Sequence, residues 1–211
     1  MPARSRVIPS YEYRRTRWRN GTGWTREIHA EPGIDGADWD WRLSIAEITA
    51  DGPFSTFPGV DRELVLLAGA GVRLRFDDGV AAADVLPPYG RHRFAGEAEV
   101  RGELVDGPTH DFNLMWRRER FAAELWRRPL VGAMVMFAEP QSTWIVHQLA
   151  GHTRFADGSG LPDLAMADTA ILQAGDARLR HVLDGAGEAL LIRLTPADAP
   201  RGAGLSLESE D

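Results

Sequence analysis

Apolar and polar residues alternate in short segments along the chain, and this period of two predicts β-strands rather than helices. Gly, Pro, Asn and Asp separate the segments, as they do between many short strands. The predicted strands are Thr25–Glu31, Trp41–Ile48, Leu64–Ala68, Val72–Phe76, Val100–Val105, Asp111–Arg117, Met134–Glu139, Thr143–Gln148, Thr169–Leu172, Leu179–Leu183 and Ala189–Leu194. The pattern is typical of an all-β sandwich or barrel protein.

One segment near the middle of the chain departs from this alternation. RRERFAAELWRRP, residues 117–129, is the best candidate for a helix, with an irregular connection as the alternative. Its position predicts two lobes, residues 1–118 and 119–199. Residues 200–211 are small, polar and acidic, and we expect them to form a flexible tail.

Composition excludes several kinds of chemistry. The 211 residues include no cysteine, so disulfides, thiol nucleophiles and thiolate metal sites are excluded. All 24 basic residues are arginine, and the absence of lysine excludes Schiff-base catalysis and a P-loop. The net charge of −7 disfavours nucleic acid as a partner. Because no secretory signal or membrane-length apolar run is recognisable, a cytoplasmic protein without a membrane partner is expected.

The stretch WRNGTGWTREI, residues 18–28, contains an Asn20-Gly21 pair between strand-like flanks. Asn-Gly is the strongest short signal for a β-hairpin, because both residues tolerate positive φ. A phosphate-binding loop is disfavoured, since no helix follows and position 26 is Arg rather than the third glycine. We therefore predict a turn.

Two predicted strands carry polar residues on one face and apolar residues on the other. In WRLSIAEI, Arg42 and Ser44 lie opposite the apolar face of Trp41 and Leu43. In DFNLMWRR, Asn113 lies opposite Phe112, Leu114 and Trp116. On the residues alone, a solvent-exposed polar face and a ligand-facing one both remain open.

The loop DGPFSTFPGVDR, residues 51–62, combines two aromatic residues with an Asp61-Arg62 pair, and could wall a pocket or be a packed surface loop. The six histidines form neither H-x-H nor H-E-x-x-H, so no metal and no other cofactor is predicted. The groups available for acid–base chemistry are Glu27, Glu47, Asp61 and His92, and no catalytic residue is assigned.

Three stretches in order resemble the signature segments of the HutD/Ves family: residues 18–28, residues 41–69 and residues 94–118. The resemblance covers about half of the chain and implies a bicupin, with two cupin-like β-barrel lobes. Thr22-Gly23-Trp24 departs from the family pattern, in which a third small residue is more usual. A metal-binding cupin normally has H-x-H with a nearby Glu and a later His, so the resemblance implies a metal-free pocket here. The positions that match the family pattern are Asn20, Gly21, Gly23, Thr25, Trp41, Arg42, Ser44, Phe54, Ser55, Pro58, Gly59, Asp61, Arg62, Phe94, Gly96, Asp111, Asn113 and Met115.

The resemblance and the strand pattern together imply a pocket for a small carboxylate, since guanidinium groups bind carboxylates in bidentate fashion. The expected function is a regulatory protein of histidine utilisation that senses an intermediate such as formiminoglutamate or formylglutamate. The alternative is a metal-independent cupin enzyme, an isomerase or hydrolase acting on a small organic acid. A homodimer is compatible with either. The candidate ligand-binding residues are Asn20, Thr25, Arg42, Ser44, Phe54, Asp61, Arg62 and Asn113.

Overall fold

Fifteen strands account for nearly all of the regular structure in a computed structural model, which describes residues 5–34, 36–77, 79 and 81–198. The expected acidic tail, residues 200–211, lies outside the described residues. A single turn of 3-10 helix at Ser10–Glu12 is the one helical segment in the described part. The strands are β1 (Arg6–Ile8), β2 (Arg14–Arg17), β3 (Gly23–Glu31), β4 (Trp41–Ile48), β5 (Gly52–Pro53), β6 (Val60–Ala68), β7 (Val72–Phe76), β8 (Ala83–Val85), β9 (Arg91–Ala95), β10 (Val100–Leu104), β11 (Thr109–Arg117), β12 (Phe121–Ala138), β13 (Thr143–Phe155), β14 (Thr169–Gln173) and β15 (Leu179–Pro196).

The strands form three antiparallel sheets. Sheet 1 has the order β2-β3-β4-β11-β6-β9, and sheet 2 has the order β5-β10-β7-β8. Sheet 3 has the order β1-β14-β13-β15-β12, so the N-terminal strand joins the strands of the second half. The proposed boundary near residue 119 falls in the turn between β11 and β12.

The helix proposed for residues 117–129 is wrong. Arg117 ends β11, a turn follows, and Phe121 begins the 18-residue strand β12. Alternate side chains decide this outcome, because Ala123 and Leu125 are buried while Ala122 and Glu124 are exposed. Pairing with β15 over the full length of β12 outweighs the helical preference of Ala, Glu and Leu.

Sheet 1 lies between two apolar clusters, and sheets 1 and 2 together are called the first lobe below. The Trp41, Leu43 and Ile45 face packs in one core with side chains of sheet 3, including Ile145 and Ile192. The opposite face of sheet 1 packs against sheet 2 through a second apolar cluster, formed by Leu64, Leu66, Val72, Leu74, Val85, Phe94 and Val100.

Because strand residues alternate, the polar positions of β4 and β11 therefore face the interior of the first lobe. The protein is all-β with a cupin-like fold, although none of the three sheets closes on itself through hydrogen bonds between described strands. The described residues contain no helix long and apolar enough to span a membrane.

Candidate functional site

The Asn20-Gly21 stretch forms the turn of the β2–β3 hairpin, as its sequence predicts. Gly21 adopts φ of 74°, in the left-handed region that favours glycine. The Asn20 side chain closes the turn, since its Oδ1 accepts hydrogen bonds from the backbone N–H of Thr22 at 3.1 Å and from the Thr22 hydroxyl at 2.8 Å. The Trp18 indole N–H donates to the Thr25 hydroxyl at 2.7 Å, which links the two sides of the hairpin, and both side chains line a cavity.

The cavity lies inside the first lobe and has a volume of about 450 Å³. Volumes of this size are typical of small-molecule sites. Residues from the hairpin, from β4, β6 and β11 and from the loop after β5 form its walls. The lining residues are Arg17, Trp18, Arg19, Asn20, Thr25, Arg42, Ser44, Ala46, Pro53, Phe54, Ser55, Phe57, Arg62, Leu64, Asn113 and Met115.

Arg62 is the central feature of this cavity, because it is a buried cation without an anionic partner. Its relative exposure is 6%. One guanidinium nitrogen donates to the Ser55 carbonyl at 3.2 Å, while no carboxylate of the described residues forms an ion pair with it. Buried charges in proteins are normally paired. Arg62 therefore leaves a positive charge at the cavity that a ligand could neutralise.

The surroundings of Arg62 disfavour its charged form, while three aromatic rings contact its guanidinium group. Burial, with a smaller contribution from the positive charge of Arg42, lowers the pKa of Arg62 to about 10. The guanidinium lies over three aromatic rings, at 5.5 Å from Phe54, 5.6 Å from Phe57 and 5.0 Å from Phe94. Cation–π attraction partly replaces the lost hydration. Because the pKa remains well above 7, Arg62 is protonated at neutral pH.

Arg42, the second arginine of the interior face, is held by an acidic neighbour. Its Nε donates to Glu27 Oε2 at 2.9 Å, and Glu27 Oε1 is paired with Arg14 at 2.9 Å. The Glu27 carboxylate is thus shared by two arginines and does not line the cavity. The lining residues include four arginines and no aspartate or glutamate, so the cavity is positively charged in a protein of net charge −7.

Two buried polar atoms at the cavity have no hydrogen-bond partner. They are the Nε donor of Arg62 and the Oδ1 acceptor of Asn113. Each unsatisfied buried group costs about 1–3 kcal/mol. A molecule that offers both an acceptor and a donor in this cavity would satisfy both atoms.

The structure brings together seven of the eight sequence-predicted site residues: Asn20, Thr25, Arg42, Ser44, Phe54, Arg62 and Asn113. The eighth, Asp61, does not line the cavity. It precedes Arg62 in β6, so its side chain points to the opposite side of the sheet, where it accepts a hydrogen bond from Arg118 Nε at 2.8 Å.

Sequence reasoning missed the contribution of Arg17, Trp18 and Arg19 to the cavity wall. Their cluster of arginine beside tryptophan is visible in the sequence, but it is equally typical of a solvated surface. The signal that could have identified them is their position next to the Asn20-Gly21 turn.

Two other clefts, of about 410 and 420 Å³, lie between sheets 1 and 3. Three of their four arginines are already engaged: Arg93 pairs with Glu63 at 2.8 Å, Arg91 donates to the Leu125 carbonyl, and Arg127 pairs with Glu188 at 2.9 Å. The fourth, Arg128, is exposed to solvent. These clefts therefore offer less unpaired charge than the cavity of the first lobe. The described residues contain no group of three or more His, Asp or Glu that could hold a metal ion.

Relatives with similar sequences come from several bacteria. The chain is 40% identical over 119 residues to a Pseudomonas putida protein described as an uncharacterised 21.2 kDa protein in the hutC 3′ region. It is 45% identical over 109 residues to protein Ves of Cronobacter sakazakii. The matches cover 56% and 51% of this chain, and they span 62% and 58% of the relatives' own lengths, which is less than two thirds.

Solved structures resemble the chain over nearly its whole length. HutD from Pseudomonas fluorescens SBW25, in a formate condition, has a TM-score of 0.79 and 31% identity, and the alignment covers 92% of this chain and 99% of that one. The protein PA5104 of Pseudomonas aeruginosa PAO1, described as of unknown function, has a TM-score of 0.76 and 28% identity, covering 92% and 98%. The pirin YhhW of Escherichia coli in complex with nickel(II), at 10% identity, covers 92% and 99% with a TM-score of 0.64 and shares the fold.

The HutD family model matches residues 10–191, which include the cavity, sheets 1 and 2 and most of sheet 3. This match covers far more of the chain than the three stretches that first indicated the resemblance. The chain belongs to the HutD family.

Proposed function

We propose that this protein is a cytoplasmic regulatory protein of histidine utilisation that senses a small carboxylate intermediate in the cavity of the first lobe. The observation that carries the proposal is Arg62, a buried guanidinium at a cavity wall with no carboxylate partner among the described residues. A carboxylate ligand would neutralise this charge and accept a hydrogen bond from the unpaired Nε–H of Arg62. No metal takes part in this mode of binding.

The second unsatisfied atom restricts the class of ligand. Asn113 Oδ1 needs a hydrogen-bond donor, so the ligand should carry an N–H or O–H group as well as a carboxylate. Formylglutamate offers an amide N–H and formiminoglutamate an amidine N–H, and each has two carboxylates. With four arginines in the wall, the cavity can accommodate both negative charges.

The relatives support the link to histidine utilisation. The family is HutD, and one relative is described by its position in a hutC 3′ region. Sensing, rather than catalysis, is favoured because no Asp, Glu or His is among the lining residues, so the cavity wall lacks the usual acid–base groups.

The first prediction is that formylglutamate or formiminoglutamate stabilises the purified protein against heat. At about 100 times the dissociation constant, a ligand stabilises the native state by roughly 2.7 kcal/mol. For a chain of this size the melting temperature should then rise by about 5–10 °C. Differential scanning fluorimetry with a panel of acids measures this shift, and glutarate, which lacks the N–H donor, should give a smaller one.

Two controls accompany this screen. Arg154→Ala, which removes an exposed arginine of β13, should retain the full shift. Mass spectrometry after incubation should recover the ligand unchanged. Conversion of the ligand would instead favour the metal-independent enzyme, and no shift with any acid at millimolar concentration would contradict the proposed sensor.

A further inference from the structure

Strand β12 is one edge of sheet 3, and the first half of its free edge is protected. The carbonyls of Ala123 and Leu125 accept hydrogen bonds from Arg93 and Arg91, and Pro129 has no N–H to offer. These three odd-numbered positions place their backbone groups on the side away from β15. Such protection is common where an edge strand must not pair with another chain.

The second half of this edge is less protected, and its side-chain contacts lie at Phe137, where the carbonyl accepts the Trp144 indole N–H and Arg178 lies 3.9 Å from the ring centroid. Residues 130–138, LVGAMVMFA, carry no charge. Val131 is 90% exposed, and Val135 and Phe137 are also exposed. No described strand pairs with this side of β12. A long, uncharged, exposed edge strand favours pairing with another strand.

The other sheet edges of the described part of the chain differ from this one. β1, β5 and β8 have two or three residues each, while β2 reads RRTR and β9 reads RHRFA. Short length and charge both protect an edge. The outer edge of residues 130–138 is therefore the one long, uncharged edge in the described structure.

We propose that a second copy of this chain pairs with it there, antiparallel, around a two-fold axis at Ala133. Odd-numbered residues then lie opposite odd-numbered residues, and their free backbone N–H and C=O groups face each other. Val131 of each copy lies opposite Val135 of the other, which forms two apolar cross-strand pairs. The interface is isologous, as expected of a closed dimer.

The residues at the two ends of the paired segment are also compatible with this register. Arg127 of one copy lies opposite Glu139 of the other, so opposite charges meet at both ends. Within one chain Arg127 already pairs with Glu188 at 2.9 Å and Glu139 with Arg178 at 2.7 Å, so the contact across the axis would extend these two surface ion pairs. Pro129 lies opposite Phe137, and the missing proline N–H has no consequence there, because the Phe137 carbonyl already accepts the Trp144 indole N–H at 3.0 Å.

Neighbouring registers fit less well. An axis at Val131 places Arg127 opposite Val135, and brings Leu125, whose carbonyl is bonded to Arg91, opposite Phe137. An axis at Val135 places Val131 opposite Glu139. Charge and backbone pairing thus agree on the axis at Ala133.

The second prediction concerns the oligomeric state of the full chain. Light scattering after size exclusion should give twice the mass of one chain. Val131→Lys and Val135→Glu should each raise the dimer dissociation constant by at least about tenfold, because an unpaired charge would face an apolar residue of the other copy. The double variant should recover dimerisation, since the introduced lysine and glutamate lie opposite each other in this register.

A cross-link tests the axis directly. The chain has no cysteine, so Ala133→Cys introduces a single thiol. Cα atoms opposite each other in a hydrogen-bonded antiparallel pair are about 5.5 Å apart, within disulfide range. Mild oxidation should give a covalent dimer on a non-reducing gel, whereas Arg154→Cys, on an exposed position of β13, should not. A monomeric wild type, a dimer that survives Val131→Lys, or a dimer that Ala133→Cys fails to cross-link would each overturn the proposal.

Discussion

Arg62→Met should weaken ligand binding by at least about a hundredfold and at the same time leave the ligand-free protein more stable. The loss of affinity follows from removing a buried charge that contacts the carboxylate, where each charge-assisted bond contributes about 1.5–3 kcal/mol. Methionine retains apolar contact with the rings of Phe54, Phe57 and Phe94 without the cost of a buried charge.

The expected gain in stability can be estimated from the pKa. Lowering the pKa of Arg62 from its usual range to about 10 corresponds to a cost on the order of 3 kcal/mol for keeping it charged in the folded state. Losing both the bond to the Ser55 carbonyl and the cation–π attraction to the three rings offsets about half of this gain. A net gain of about 1–2 kcal/mol should raise the melting temperature by roughly 2–8 °C.

Arg118→Met is the matched control, because Arg118 is an arginine of the same lobe with a full set of partners. It pairs with Asp61 at 2.8 Å and with Glu97 at 2.6 Å, and it donates to the Val60 carbonyl at 2.7 Å. Its replacement should lower the melting temperature and leave ligand affinity unchanged. Calorimetric titration and thermal unfolding measure both quantities. Unchanged affinity in folded Arg62→Met would show that Arg62 does not hold the ligand.

Arg42→Ala should have a smaller effect on affinity than Arg62→Met. Glu27 already offsets part of the Arg42 charge, so a carboxylate gains less from it. We expect a loss of about tenfold in binding from this variant. The ranking of the two arginines follows from the ion pair with Glu27, which the sequence alone did not identify.

The strand faces of the first lobe could be predicted because alternation is a local property. Arg42 and Ser44 face the interior for the same reason that Trp41 and Leu43 face the shared core. Asp61 was predicted to line the pocket because it is next to Arg62 in the sequence. Neighbouring residues of a strand point to opposite sides of the sheet, and Asp61 therefore lies outside the cavity. Local alternation, applied strictly, would have excluded it.

The features that the sequence did not predict depend on contacts between residues far apart in the chain. Residues 121–129 have helical composition, and only their full-length ladder with β15 makes them a strand. The pairing of β1 with β14 joins residues more than 150 positions apart, and no local sequence pattern predicts it. The unpaired state of Arg62 is equally non-local, because it depends on which carboxylates the fold brings near.

A second large effect is expected at Asp111, which lies two residues before Asn113 in β11. Its carboxyl group is fully buried, and Oδ2 accepts a hydrogen bond from the Thr109 hydroxyl at 2.6 Å while Oδ1 has no partner. Burial raises the pKa of Asp111 to about 7, and the bond from Thr109 opposes this rise. The folded protein therefore retains a proton that the unfolded chain releases near pH 4.

The sign of the effect follows from proton counting. Between about pH 4 and 7 the folded state holds one more proton at this site than the unfolded state, so stability falls as the pH rises. The slope is about 1.4 kcal/mol per pH unit, and the total is on the order of 4 kcal/mol. Asp111→Asn cannot ionise and should lack this loss.

His147 changes the pH dependence of stability in the opposite direction over part of the same pH range. Burial lowers the pKa of His147 to about 4, so its contribution to stability is complete above about pH 6.5 and is lost as the pH falls toward 4. The two groups therefore oppose each other in the wild type between about pH 4 and 6.5. For this reason the informative quantity is the difference between variant and wild type, in which the contribution of His147 cancels.

Chemical denaturation at pH 4.5, 6, 7 and 8 should thus show that the free energy of unfolding of Asp111→Asn rises relative to wild type by a few kcal/mol across the series. Any constant offset from the different hydrogen bonding of the amide leaves this slope unchanged. Asp84→Asn is the control, because Asp84 is exposed and its hydrogen bond with Arg73 lowers the pKa of its carboxyl group. This variant should show no such rise. An equal difference between Asp111→Asn and wild type at all four pH values would mean that Asp111 is already ionised in the folded protein, and that its buried Oδ1 has found a partner.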